Sequence, residues 1–297
     1  MKSVIVRGIT GILFIAVVFF AIAYNIINLW ALLALITGVS LYEFYKILFK
    51  GSFSTLQYIT HILAGAYITT FVFAEALDLS NWADTLGKSY ISFIFSYAPI
   101  FLYIMLVFIN ELYAKREEPF THAAKILVGH LYISIPIGLL SLIALNSYNI
   151  IFDNYSPVLL FALLVIIWVY DTGAFVTGMT FGKHRLFESI SNKKSWEGFW
   201  GGVGFALLAA WGVFAILENQ VFDGISNHMN LYEWLGFAAI VVVSATMGDL
   251  TESLLKRTYG IKDSGKILPG HGGMMDRFDS VFMAAPAAYI YLSLVMM

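Results

Sequence analysis

Nine stretches of this chain are long and apolar enough to cross a lipid bilayer, and that constrains its fold before any motif is read. A spanning helix needs about 20 mostly apolar residues. The candidates are Ile9–Tyr24, Leu29–Phe49, Leu56–Ala74, Tyr90–Tyr113, Ala123–Leu145, Val158–Thr180, Gly198–Leu217, Leu235–Leu255 and Phe278–Met297. Only 12% of residues are charged, about half the share in a soluble domain. The expected fold is therefore all-α, a polytopic membrane protein of about nine transmembrane helices. The first run has a second reading: Lys2 and Arg7 precede it, and Ala21-Ile22-Ala23 resembles a signal-peptide cleavage site. The spanning reading is preferred, because a run followed at once by another is ordinary in a polytopic chain.

No charge run or low-complexity linker interrupts the sequence, so it reads as one membrane domain over 1–297. Residues 1–150 form a scaffold of about five spans and 151–297 the catalytic portion. The absence of cysteine excludes a disulfide framework, a thiolate metal site and a Cys nucleophile.

Charge bias sets the orientation. With the N-terminus in the cytoplasm, 16 of the 17 Lys and Arg residues face inward and only Lys88 faces out. The outer loops instead carry Glu75, Asp78, Asp84, Asp153, Glu218, Asp223 and Glu233. Nine spans then leave the C-terminus outside.

Charge within a membrane is costly, so it marks function by default. Asp171 lies about 14 residues into its span, roughly 20 Å deep from the outer face at 1.5 Å per residue. Asp249 has nearly the same depth, and Asp276 and Asp279 stand where the last span begins. Four carboxylates thus fall at one level beneath the inner headgroups, where a lipid phosphate lies. A transporter places ionisable residues nearer the midplane.

On a continuing helix Asp249, Ser253 and Lys256 form one stripe at i, i+4 and i+7, with Arg257 beside it. The stripe supplies a hard ligand, a hydroxyl and a cation, a set suited to a metal-bound polyphosphate. A polar loop follows with Lys262, Lys266 and His271. Its Gly270, Gly272 and Gly273 let backbone N–H groups approach an anion. Asp276, Arg277 and Asp279 close the segment. Oxygen ligands without cysteine indicate Mg²⁺, with Asp249 and Asp276 as its ligands and a second cation as an option. Gly260-Ile-Lys-Asp-Ser-Gly265-Lys266-Ile267 is not a P-loop, since Ile267 replaces the Mg²⁺-binding hydroxyl and no strand precedes it. Ser253-Leu-Leu-Lys256 lacks the companion motifs of acylating Ser-x-x-Lys enzymes.

Ser253-x-x-Lys256-Arg257, Lys262-Asp263-x-Gly265 and Pro269-x-His271-Gly272-Gly273-x-x-Asp276-Arg277-x-Asp279 together resemble the signature of phosphatidate cytidylyltransferases. The likeness is strong from about Asp171 onward; before that only span count and hydropathy support it. Ser191-Asn192-Lys193-Lys194-Ser195-Trp196-Glu197-Gly198 is similar to the family's Ser-Pro-Lys-Lys-Thr-x-Glu-Gly segment, with Asn192 in place of proline and a looser turn expected. The resemblance implies a metal-dependent enzyme that joins CTP to phosphatidic acid at a cytoplasm-facing site of the bacterial plasma membrane, in a homodimer. Ser191, Lys193, Lys194, Ser195 and Asp171 are then candidate contacts for the nucleotide or the lipid phosphate. Nucleic acid is not an expected partner. The rivals are a CTP-dependent lipid kinase, for which Asp171 would be the base, and an ion-coupled transporter. Gly178-x-x-x-Gly182 and Gly198-x-x-x-Gly202 read as helix-packing motifs, and Asp171-Thr172-Gly173 as a place for the sixth span to unwind.

Overall fold

The expected spans are helices in the computed structural model, which describes residues 2–76, 89–145, 157–218, 229–268, 270 and 272–296. His271, Lys88, Asp78, Asp84, Asp153 and Asp223 lie outside the described residues. The helices are α1 (Lys2–Tyr24), α2 (Ile26–Leu48), α3 (Thr55–Ala76), α4 (Ser89–Ala114), α5 (Pro119–Gly129), α6 (Ile135–Leu145), α7 (Val158–Phe181), α8 (Trp196–Glu218), α9 (Leu231–Thr258) and α10 (Met275–Val295). A π-helical turn, His130–Ser134, joins α5 and α6 into one span, Pro119–Leu145. Pro136 follows this turn and has no N–H to continue the ordinary ladder.

Among the described residues, eight helices are long and apolar enough to cross a membrane, and α1 adds a shorter apolar stretch, Thr10–Tyr24. This is a multi-pass, all-α membrane protein. Its many exposed large apolar side chains, such as Leu112, Phe120 and Trp200, suit a surface whose solvent is hydrocarbon.

The chain packs as two compact units. The first comprises Met1–Leu145 and Asp263–Arg277; the second comprises Asn146–Lys262 and Phe278–Met297. In the first, α2 is buried along Leu29, Leu33, Ile36, Leu41 and Tyr45, against α3 and α6. The Tyr45 hydroxyl donates to the Ile126 carbonyl at 2.8 Å, just before the π turn. His130 inside that turn lies 2.7 Å from the Tyr103 hydroxyl and 3.2 Å from Ser134 Oγ. These bonds satisfy polar groups that the buried turn would otherwise leave unpaired.

In the second unit, small residues let backbones meet. A Cβ on Gly198 would stand 2.8 Å from the Ala174 carbonyl and 3.2 Å from Gly178 Cα, and one on Gly202 would strike the Tyr170 ring at 2.7 Å. Gly178, Gly198 and Gly202 therefore seat α7 against α8, as expected, while Gly182 lies just past the end of α7, against the Gly178 carbonyl and Ser195. The anticipated unwinding at Asp171-Thr172-Gly173 does not occur. There α7 stays helical, Thr172 Oγ1 returns a bond to the Trp168 carbonyl at 2.8 Å, and Gly173 fits beneath the Phe205 ring. Its glycine serves packing rather than a break.

The segment before α8 holds one element that periodicity did not suggest. Arg185–Phe187 (β1) and Ser191–Ser195 (β2) form an antiparallel hairpin. The position of Asn192, expected in a loose turn, is in a strand, and the turn falls at residues 188–190 instead.

Candidate active site

In the second unit the geometry centres on Asp249. Strand alternation in β2 sends Lys193 and Lys194 to opposite faces: Lys193 is exposed, while Lys194 Nζ reaches Asp249 Oδ2 at 2.5 Å. The two lysines, both candidate phosphate contacts, therefore have different surroundings. One turn along α9, the Ser253 hydroxyl donates to Asp249 Oδ1 at 3.3 Å. Gly248 supplies the close approach on the other side, since a Cβ there would stand 2.5 Å from the Asp279 carbonyl. That contact seats α9 on α10 and puts Asp279 within electrostatic reach of Asp249, Lys256 and Asp171. Three of the four carboxylates anticipated at one depth thus gather in this unit. The buried bond between the Tyr170 hydroxyl and Thr246 Oγ1, 2.6 Å, fixes α7 to α9 just below them.

The remaining candidates of this unit have other partners. Lys256 forms an ion pair with Glu252, a carboxylate with no solvent exposure. Arg257 Nε lies 3.5 Å from the Ile190 carbonyl at the hairpin turn. Ser195 caps α8: its hydroxyl accepts from the Gly198 N–H at 3.1 Å, and its side chain is buried. Glu197 accepts from the Lys183 N–H at 3.0 Å and contacts His184 Nδ1 at 2.6 Å, which ties the hairpin's start to α8. Ser191 is half-buried and Lys262 exposed.

In the first unit the glycine-rich loop wraps carboxylates of the protein itself. Asp276 Oδ2 accepts from the Ser264 N–H at 2.9 Å, the Gly273 N–H at 2.8 Å and Ser264 Oγ at 3.0 Å. Gly272 has φ +84, and a Cβ on it would lie 2.5 Å from that same oxygen. The loop was expected to offer its N–H groups to phosphate; the Gly273 donor is turned to Asp276 instead. Lys266 and Arg277 are exposed.

The sequence reading missed Glu43. This α2 residue is 2% exposed. Its carboxylate accepts from the Met274 N–H at 3.1 Å, the Met275 N–H at 3.0 Å and the Ser264 hydroxyl at 3.0 Å. The signal was available, because Glu43 is an ionisable residue inside the second apolar run and the same rule that selected Asp171 selects it. Glu252 was missed for the same reason.

The chemistry on offer is that of a hard-oxygen site. Asp249 has the Lys194 ammonium at one oxygen and the Ser253 hydroxyl at the other. Among the described residues no group of three or more His, Asp or Glu is arranged to hold a metal ion. One or two carboxylates completed by substrate phosphates and water are the usual way in which Mg²⁺ is held, so the donor set fits that ion.

A family model described as the cytidylyltransferase family matches residues 5–295. The chain belongs to that family. Among its relatives are proteins named phosphatidate cytidylyltransferase from Staphylococcus epidermidis, 42% identical over 134 residues (45% of this chain, 48% of that protein), and from Thermotoga maritima, 41% identical over 136 residues (45% and 49%). A third of that name, from Staphylococcus aureus, is 36% identical over 179 residues (60% and 62%). The matched stretches span about half the length of the first two relatives. Membership in the cytidylyltransferase family accords with the signature in 253–279 and gives the clustered carboxylates and lysines their chemical setting.

Proposed function

We propose that this chain transfers the cytidylyl group of CTP to phosphatidic acid, leaving CDP-diacylglycerol in the membrane and releasing pyrophosphate. The observation that carries the reading is the Lys194–Asp249–Ser253 cluster, a carboxylate with a cation and a hydroxyl at its face. The relatives named phosphatidate cytidylyltransferase support the choice of substrates.

A phosphate oxygen of phosphatidic acid attacks the α-phosphorus of CTP. The bond to the β-phosphate oxygen breaks, and its electron pair leaves with pyrophosphate. The nucleophile is already anionic at neutral pH, so the reaction needs alignment and charge neutralisation more than a base. Lys194 shares its ammonium between Asp249 and the incoming polyphosphate. Lys256, oriented by Glu252, and Arg257 and Lys193 offset the remaining phosphate charge. Asp249 and Asp276 are each assigned as Mg²⁺ ligands, and the ion would supply charge neutralisation for the phosphates.

The proposal places the site on the cytoplasmic side of a bacterial plasma membrane, with the N-terminus inside and the C-terminus outside. Support comes from the one-sided distribution of Lys and Arg. One experiment tests reaction and orientation together. Sealed vesicles of both orientations, loaded with phosphatidic acid, receive CTP labelled at the α or the γ phosphate. The α label is expected in lipid and the γ label in pyrophosphate, only where the cytoplasmic face meets the CTP. Lipid carrying γ label alone would replace the reading with a lipid kinase, and reaction from the opposite face would overturn the orientation.

A further inference from the structure

The loop that presents Asp276 is built around a carboxylate contributed from far away in the chain. Glu43 and Ser264 are separated by 221 positions. Glu43 projects near the C-terminal end of α2, and its carboxylate receives the N–H groups of Met274 and Met275, where α10 begins. The first N–H groups of a helix have no partner within it, and a negative charge there is favoured by the helix dipole. Glu43 therefore does for α10 what a local capping residue would do, from a different helix.

Two signature glycines are explained by the same contact. A Cβ on Gly265 would lie 2.1 Å from Glu43 Oε1, and one on Gly273 would lie 2.4 Å from Glu43 Oε2 and 2.2 Å from Ser264 Oγ. The loop is shaped to close on this side chain. Ser264 then links it to Asp276, for its hydroxyl is 3.0 Å from Glu43 Oε2 and also 3.0 Å from Asp276 Oδ2. A hydroxyl has one proton and serves one carboxylate at a time. Charge drawn from Asp276 frees that proton for Glu43, so the ordering of the loop and the capture of a cation by Asp276 favour each other.

We propose that Glu43 is a positioning residue that holds the 264–275 loop in the form that presents Asp276 to a divalent cation, acting through Ser264. The cation is the one assigned to Asp276 above, so this part rests on that reading; the loop contact does not. Removing such an outer partner of a metal ligand typically lowers metal affinity by about 10–100-fold.

The test uses the full chain in detergent or lipid discs, with Glu43→Gln and Ser264→Ala as variants. Glutamine keeps the shape of Glu43 but turns an N–H₂ toward backbone donors. Three quantities are measured: amide hydrogen exchange of the 264–276 segment, Mn²⁺ affinity from the spectrum of the free ion, and turnover against CTP concentration. Glu43→Gln is expected to speed exchange of this segment by roughly tenfold or more, with exchange in α6 and α7 unchanged. It should also weaken Mn²⁺ binding by about 10–100-fold and lower kcat more than it raises the KM for CTP. Ser264→Ala leaves α2 untouched and should reproduce the loss of Mn²⁺ affinity even if Glu43→Gln folds poorly. The double variant should be no worse than Glu43→Gln alone, because both changes remove one relay. Unchanged exchange in folded Glu43→Gln overturns the positioning role, and wild-type Mn²⁺ affinity in Ser264→Ala overturns the relay to Asp276. Loss of loop protection in a chain whose wild type transfers no cytidylyl group would leave Glu43 standing and remove the reaction instead.

Discussion

The two carboxylates assigned to the metal are held in opposite ways. Asp276 in the first unit is gripped by the backbone: the N–H groups of Ser264 and Gly273 and the Ser264 hydroxyl converge on its Oδ2. Asp249 in the second unit is met by side chains, the Lys194 ammonium and the Ser253 hydroxyl. Backbone donors in a closed loop fix a carboxylate in place, whereas a lysine on four rotatable carbons can leave and return. Asp276 is thus part of the fold of its loop as well as a candidate ligand. Asp249 carries a cation of the protein's own, the Lys194 ammonium, on one oxygen.

The largest effect should come from removing the charges themselves. Asp249→Asn and Asp276→Asn should each lower turnover by roughly a hundredfold or more at saturating Mg²⁺, but only Asp276→Asn should also lower the melting temperature. Its amide presents N–H₂ to donors that need an acceptor, at a cost of about 1–3 kcal/mol per unsatisfied group. Turnover and thermal melts of the purified variants decide this. Near-wild-type turnover in either removes that ligand, and equal melting temperatures would erase the contrast between the two sites. Asp279→Asn would separate a ligand from a neighbour in the same assay.

A middle effect distinguishes the two adjacent lysines. Lys194→Met should cut kcat/KM for CTP by about tenfold or more, while Lys193→Met should stay within a few fold, since close charge-assisted contacts are worth about 1.5–3 kcal/mol and exposed charges far less. Steady-state kinetics with CTP provide the check. Equal losses would mean that the alternation of β2 does not sort the two lysines.

The smallest effect is structural and confined to the second unit. Gly248→Ala should destabilise by about 1–3 kcal/mol, as overpacking does, because its new methyl group meets the backbone of Asp279 and Ser280 rather than a yielding side chain. Denaturation in mixed micelles measures it, and a neutral result would show that the α9–α10 contact relaxes freely. Gly204→Ala is the control, having open space around the added carbon.

Much of this protein was legible in its sequence. Apolar run length placed the helices to within about four residues, apart from the start of α1, because in hydrocarbon the backbone has few alternatives. The paired glycines announced the α7–α8 contact. Asp249, Asp276 and Asp279 were singled out by the cost of charge in a membrane together with the signature around them. Other features were lost because they depend on partners that sequence spacing does not reveal. The Ser191–Ser195 strand is too short and polar to show its period, so the opposite fates of Lys193 and Lys194 went unseen. Thr172 and Gly173 look like helix breakers until the Trp168 carbonyl and the Phe205 ring supply their contacts.

The sequence by itself determined that this is a helical membrane protein with acidic residues in its apolar runs and a glycine- and lysine-rich loop before the last of them. Tertiary structure alone decided which acid receives which donor. Lys256 belongs to Glu252, Lys194 to Asp249, and the loop's N–H groups to Asp276 and Glu43. The physical reason is range. Hydropathy and helix formation are set by neighbours along the chain, whereas a buried charge is satisfied by whatever donor packing brings to it, even one 221 residues away.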